Sequence, residues 1–503
     1  MIRFVLHPHH VASGAVTFRW TVTPASSLYR RCEFALRFPP AVDLSCVPDA
    51  LWPRIALLCL HPHWMVLRPC RVELPFGLDA AEIEFWRRLM DAGVNTLEAY
   101  RGSREFGRAV ELCCHGPALA PFRRLPESHR CATAFSGGKD SLLQTGLLAE
   151  LTERSLLVTT TSPMPPYVDH ITARRRAVLK AVPQRRGVEL VEVESDFRTC
   201  VDNNFALNAH GYRTGMNELT DTLLYSSSLL AAAVAKGATH LFVAAEAEVH
   251  ENAVHEGRTI QHSHFMYSTV TQGAISGLLA PLGVRLGSLT APLYSSQVQA
   301  LLWTRYRDLR DLQYSCWNVP EGAAACSRCK QCLRVAVGAL ALRDRPGLLG
   351  IDLAELFREQ RDWTPPSLDV NAAGLPNEIA RARISTQIAL GLRATPVRRV
   401  WANLLRDHPG IFLRGKGWRA LADYRQLRRR ARALPLSWTP GFRRRAVALL
   451  DPLLRERVGS IYAEHFPAES EAAYAAILER SQALSEWIAA PLPKGSSCLA
   501  QSS

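Results

Sequence analysis

At 503 residues and 55.8 kDa the chain exceeds one ordinary domain, and at about 150 residues per domain it should fold as roughly three. Hydrophobic residues at 48% and charged residues at 21% exclude a disordered chain, and no apolar run approaches the roughly 18 residues of a membrane span. The formal charge of +14 does not describe a uniformly cationic protein: residues 381–460 hold 19 Lys/Arg against four Asp/Glu, and the remainder is close to neutral.

Residues 1–125 read as a β-rich N-terminal domain. Val16, Phe18, Trp20 and Val22 alternate with polar residues, and so do Cys32, Phe34, Leu36 and Phe38. Period two in neighbouring segments predicts two half-buried strands. A helix is expected over 80–92, with Asp79 as N-cap and Glu82 completing a capping box. Two His-Pro-His segments, at His7–His9 and His61–His63, carry little metal signal by themselves. Met1–His10 lacks the apolar core of a signal peptide, so a cytoplasmic location without membrane association is expected.

Residues 126–345 alternate strand and helix patterns, which predicts an α/β domain with a parallel, Rossmann-like sheet. Strands are expected at 131–135, 156–160, 188–193 and 239–245, and helices over 140–152, 171–183 and 217–235. Residues 346–503 read as a mainly helical, Arg-rich region broken by prolines. Its basic stretch over 381–460 suits nucleic acid, an acidic partner protein or a solvated helix face equally. Lysine is rare: only Lys139, Lys180, Lys236, Lys330, Lys416 and Lys494 interrupt an otherwise all-arginine set.

The most informative string is Ser136-Gly137-Gly138-Lys139-Asp140-Ser141, between a strand pattern and a helix pattern. Two glycines allow a sharp turn that brings backbone N–H groups to an anion, and the following helix adds its positive end. Ser136 and Ser141 offer hydroxyl donors, and Lys139 offers a point charge. Asp140 would repel a phosphate, so its use is to hold Mg²⁺ against one. The Walker spacing is absent. A second signal is Cys316, Cys326, Cys329 and Cys332, separated by nine, two and two residues. Four thiolates so spaced can wrap a closed, structural Zn²⁺ site, although an iron–sulfur cluster uses the same ligands. Lys330, Arg328 and Arg334 would offset the thiolate charge.

The loop string resembles the PP-loop of ATP pyrophosphatases, which cleave ATP between its α- and β-phosphates. Loop and cysteine set together, in this order, resemble the 7-cyano-7-deazaguanine synthase (QueC) family over residues 128–345. The resemblance implies ATP, Mg²⁺ and Zn²⁺ as cofactors, Lys139, Asp140 and Ser141 as catalytic residues, and 7-carboxy-7-deazaguanine as substrate. Arg213 and Asn217 look like that family's GRN segment. Glu246 and Glu248 are similar to its acidic segment, and Ala291-Pro292-Leu293 to its APL segment. His262 and His264 stand where the family reads its substrate, but its YPDCR string is replaced there and the lysine expected after Leu293 is missing. Together with the added flanking regions, these departures resemble the QueC-like enzymes of anti-phage defence systems (Qat, type IV CBASS). That group implies transfer of the activated acyl group to an amine of a partner protein. The alternatives are a nitrile-forming synthase using ammonia, a PP-loop tRNA-modifying enzyme, and a nucleotide-binding scaffold subunit.

Overall fold

The computed structural model describes residues 1–101, 109–162, 169–211, 215–247, 252–255, 258–261, 269–316, 319–363, 382–433 and 441–470. The elements run β1 (Ile2–Leu6), β2 (His10–Ala12), β3 (Ala15–Thr23), β4 (Glu33–Arg37), α1 (Leu51–Val66), β5 (Cys70–Leu74), α2 (Ala80–Arg101) and β6 (Val110–Cys114). They continue as β7 (Cys131–Ala134), α3 (Lys139–Leu151), β8 (Ser155–Thr161), α4 (Asp169–Arg186), β9 (Glu189–Ser195), α5 (Phe205–His210), α6 (Met216–Ala235) and β10 (His240–Phe242). After a small hairpin come α7 (Thr269–Leu279), β13 (Arg285–Gly287), α8 (Ser295–Thr304), α9 (Lys330–Ala341) and α10 (Leu353–Gln360); the hairpin strands are β11 (Asn252–His255) and β12 (Arg258–Gln261). Four further helices follow: α11 (Ala382–Ala394), α12 (Val397–Asp407), α13 (Lys416–Ala433) and α14 (Arg455–His465). None of the described helices is long and apolar enough to cross a membrane.

One sheet of 11 strands, mostly parallel, runs through the molecule in the order β13-β10-β7-β8-β9-β4-β3-β1-β5-β6, with β2 added beside β3. The segment β13-β10-β7-β8-β9 is parallel throughout, as the strand–helix alternation predicts. The alternating strands β3 and β4 pair antiparallel, Phe18 opposite Phe34, with their even-numbered side chains inside. Leu36 and Arg37 of β4 pair antiparallel with Ser195 and Glu194 of β9. No break in the sheet therefore separates residues 1–125 from the α/β segment. β8 shows how the two faces form: Leu156 and Val158 enter a core with α1 and α6, while Leu157 enters the opposite one with α3, α8 and α9.

Asp79 caps α2 as predicted, its carboxylate accepting from the Glu82 N–H at 2.7 Å. The expected capping box is superseded, because Arg54 takes the Glu82 carboxylate in a buried bidentate pair at 2.9 and 2.7 Å. The larger correction is α1, which makes residues 1–125 mixed α/β rather than β-rich: all 16 of its residues are buried. A helix apolar on every side has no period to read. Pro62 sits inside it and cannot donate to the Leu58 carbonyl. The neighbouring His61 supplies the missing donor, its Nδ1 lying 3.0 Å from Leu58 O and 3.1 Å from Leu57 O. His63 meets the Tyr29 hydroxyl at 3.2 Å and stacks on Phe197 at 5.3 Å. The second His-Pro-His segment is thus part of a core.

Burial holds both rings neutral, lowering His61 to about 4 and His63, which also faces His61, to about 3. Below an ordinary value of 6.5 the unfolded chain takes up protons that the folded one refuses, so stability falls as pH falls from there. Each histidine should cost about 2 kcal/mol by pH 5, at about 1.4 kcal/mol per unit. Urea midpoints between pH 7 and 5 test this, and a flat profile between pH 6.5 and 5 would contradict it.

Candidate functional site

The chain leaves β7, winds to β8 and β9 on one side, and later returns to place β10 on the other side of β7. The strand order reverses at β7, and a crevice opens there beyond the carboxyl ends of the strands, the usual place for a ligand in an open α/β sheet. Its volume is about 280 Å³, and Ser136, Asp140, Ser141, Arg175, Tyr225 and Glu246 line it.

The Ser136–Ser141 string turns from β7 into α3 here. Gly137 has φ of +81°, and a side chain at that position would meet Val178 Cγ1 at 3.2 Å, so the turn requires glycine twice over. Gly138 is extended and caps the helix. Ser141 Oγ donates to Gly138 O at 3.0 Å and lies 3.3 Å from Ser136 Oγ, fixing the two ends of the loop together. The N–H groups of the first turn of α3 have no acceptor within the helix, which makes this end attractive to an anion.

Lys139 is buried, and its Nζ contacts Asp140 Oδ1 at 2.5 Å and lies 3.7 Å from Glu246 Oε1. Burial, then the Glu246 carboxylate, push the Asp140 carboxyl above its usual range against the pull of Lys139. Two carboxylates thus converge on one cation beside the phosphate-type loop, a donor set that also suits a hard divalent ion. The opposite wall is cationic. Arg175 donates from one Nη to Thr159 Oγ1 and Thr160 O, both at 3.0 Å, while its Nε is buried without a partner. Burial pulls this guanidinium below the usual arginine range. Next to it, Arg198 is paired with Asp221 at 2.7 and 2.6 Å and bonded to the Tyr225 hydroxyl.

The four cysteines meet as their spacing predicts. The sulfurs of Cys316, Cys326, Cys329 and Cys332 all lie within 4.8 Å of one another, with Cys326–Cys332 at 3.7 Å and Cys329–Cys332 at 3.6 Å. A tetrahedral ion with bonds of about 2.3 Å places its sulfurs about 3.8 Å apart, so the set could hold a single metal ion such as zinc. In an iron–sulfur cluster the four thiolates are shared among two or four irons, so they cannot all stand this close together. Backbone N–H groups of Cys326, Arg328 and Cys332 donate to Cys316, Cys326 and Cys329 sulfurs, each at 3.4 Å. Hydrogen bonds from Cys316 and Cys332 drive the Cys329 thiol far below its usual range, and the same sulfur contacts push those two up. Of the expected counter-charges, Arg328 is engaged with Glu355 at 3.0 Å. Arg174 of α4 instead faces Cys316 and lies over the Tyr314 ring at 5.9 Å. The cysteine site abuts the loop, for the Tyr314 N–H donates to Gly137 O at 2.9 Å.

Of the predicted site residues, Ser136, Gly137, Gly138, Lys139, Asp140, Ser141 and Glu246 therefore come together. Asn217 stands in the first turn of α6, its N–H bound to Asn203 Oδ1 at 2.8 Å, and is not among the residues lining the crevice. Arg213, Glu248, His262 and His264 lie outside the described residues. Sequence reasoning missed Arg174 and Arg175, whose string Arg174-Arg175-Arg176 has the look of a solvated helix face. No protein-family model matches the chain and no curated protein does, so the functional reading stands on these residues alone.

Proposed function

We propose that the protein is an ATP-dependent, carboxylate-activating enzyme of the PP-loop type, related to the 7-cyano-7-deazaguanine synthases. It would act on 7-carboxy-7-deazaguanine or a close analogue and pass the acyl group to an amine of a partner protein in an anti-phage defence system. The observation that carries the reading is the convergence of Asp140, Glu246 and Lys139 on the glycine loop at the point where the strand order reverses. A substrate carboxylate oxygen attacks the α-phosphorus of ATP, and the bond to pyrophosphate breaks. The amine then attacks the acyl carbon, AMP leaves, and the amine proton passes to a base. Asp140 and Glu246 would hold Mg²⁺, which supplies neutralisation of the leaving pyrophosphate. The loop N–H groups bind phosphate oxygens, Arg175 offers positive charge for the acid on the opposite wall, and the cysteine site, loaded with zinc, fixes the loop from behind. The missing YPDCR string and the missing lysine after Leu293 favour a protein amine over ammonia.

Incubation with ATP, Mg²⁺ and 7-carboxy-7-deazaguanine should release pyrophosphate only when the acid is present. Intact mass measurement should find the acyl group on one partner protein. Nitrile formation from ammonia with no mass shift in any partner would overturn the acceptor. Release that requires tRNA would overturn the substrate, and ATP binding without turnover in the complete mixture would overturn the enzyme reading.

A further inference from the structure

The C-terminal helices carry a surface that the crevice chemistry leaves unused. α12 and α13 pack together, and Trp401, Phe412 and Trp418 form a ring ladder across their junction, with centroids 6.0 and 5.1 Å apart. Trp418 is 58% exposed and Trp401 42%, whereas Trp20, Trp52, Trp64, Trp86, Trp303 and Trp363 are all buried. Among the described residues an indole left in water is the exception.

Cations are also concentrated around the ladder. Arg398, Arg414, Lys416, Arg419, Arg425 and Arg429 are exposed, and none has an ion-pair partner among the described residues. Elsewhere many exposed arginines are matched, as Arg3 with Glu73, Arg87 with Glu84 and Arg185 with Asp311, whereas Arg123, Arg154 and Arg307 are exposed without an ion-pair partner among the described residues. The pattern is ordered along the helices. Trp418, Ala422, Arg425 and Arg429 recur at helical spacing on the exposed side of α13, while Ala420, Leu421, Tyr424 and Leu427 fill its buried side. Arg398, Trp401 and Leu405 make the matching stripe on α12.

We propose that this face binds single-stranded nucleic acid, with bases stacked on Trp401 and Trp418 and phosphates held by these exposed Arg and Lys side chains. Alternating ring faces and cations match the alternation of base and phosphate in a single strand. A duplex hides its base faces, and an acidic polypeptide gives the exposed indoles no planar partner. The inference is independent of the crevice chemistry.

The test uses the full chain and labelled homopolymers of about 15 nucleotides, oligo-dT and oligo-U, at about 50 and 200 mM salt. At least one single strand should bind more tightly than a duplex of equal length, and comparison of the two identifies the sugar. Trp401→Ala and Trp418→Ala should each weaken binding roughly tenfold without shifting the melting temperature. Arg425→Ala and Arg429→Ala should each lower the salt slope by about 0.7. Equal or tighter binding of duplex, displacement by poly-glutamate with the tryptophan variants unaffected, or no binding at the lower salt would each overturn the proposal.

Discussion

Asp140→Asn should lower pyrophosphate release by on the order of 10²–10³-fold while leaving the fold intact. The asparagine keeps the shape of the side chain but removes one of the two carboxylate charges that meet Lys139. With half of the charge gone, a divalent ion would be held weakly and, in the proposed reaction, the leaving pyrophosphate would lose its counter-charge. Asp140 is crowded by Glu246, so a neutral replacement relieves repulsion, and the melting temperature should stay level. Lys139→Met has the opposite signature. It leaves Asp140 and Glu246 facing each other without their buried cation, which should cost about 3 kcal/mol of stability as well as turnover. Thermal melting beside a pyrophosphate assay separates the two. An Asp140→Asn protein that turns over like the wild type would undo the assignment of the loop.

The contrast between Asp140 and Arg175 shows what can be read from a chain before it folds. Ser136–Ser141 is legible because a strand, a glycine pair and a helix follow one another locally, and the geometry they impose needs no distant partner. The cysteines are legible for the same reason, since three of them lie within seven residues. β3 and β4 reveal themselves because one face is buried and the other is wet. α1 does not, since burial on all sides erases the period, and a helix-breaking Pro62 offset by the His61 side chain points away from helix. β10 is only three residues long, shorter than its apolar run suggests, and the chain beyond it brings Glu246 to 3.7 Å from Lys139. The pairing of β4 with β9, and the inward turn of Arg174 and Arg175, depend on segments far apart in sequence.

That long-range pairing also changes how the N-terminal region is understood. Phe34 of β4 packs edge-on against Phe197 at 4.8 Å, and Phe197 stacks on His63 of α1. Tyr29 bridges to the segment after β9 through its contact with Val201. The region from β1 to β6 thus extends the same sheet and shares a core with α6, the helix that covers β8. A substitution in this shared core acts on both halves at once, which is why acid titration of His61 and His63 should be felt by the crevice as well as by the N-terminal strands.

Cys329→Ser should have the largest effect on stability. Structural zinc in small domains contributes about 10–16 kcal/mol, comparable with the whole 5–15 kcal/mol that holds a typical domain folded. Removing one of four sulfurs from the set would lose most of the metal and leave three close, buried thiols that repel once ionised. The damage should reach the crevice, because Tyr314, two residues before Cys316, holds Gly137 by a backbone hydrogen bond of 2.9 Å. The expected result is about one zinc per wild-type chain by elemental analysis. In the variant the metal should be largely gone, the unfolding transition broad and early, and ATP binding lost. Cys46→Ser is the control. Its thiol is exposed and donates to Asp43, so the change should alter stability by no more than about 0.5 kcal/mol and leave the metal in place. Full stability of Cys329→Ser without metal would show that packing alone holds the cysteine set together, and that the loop owes nothing to an ion behind it.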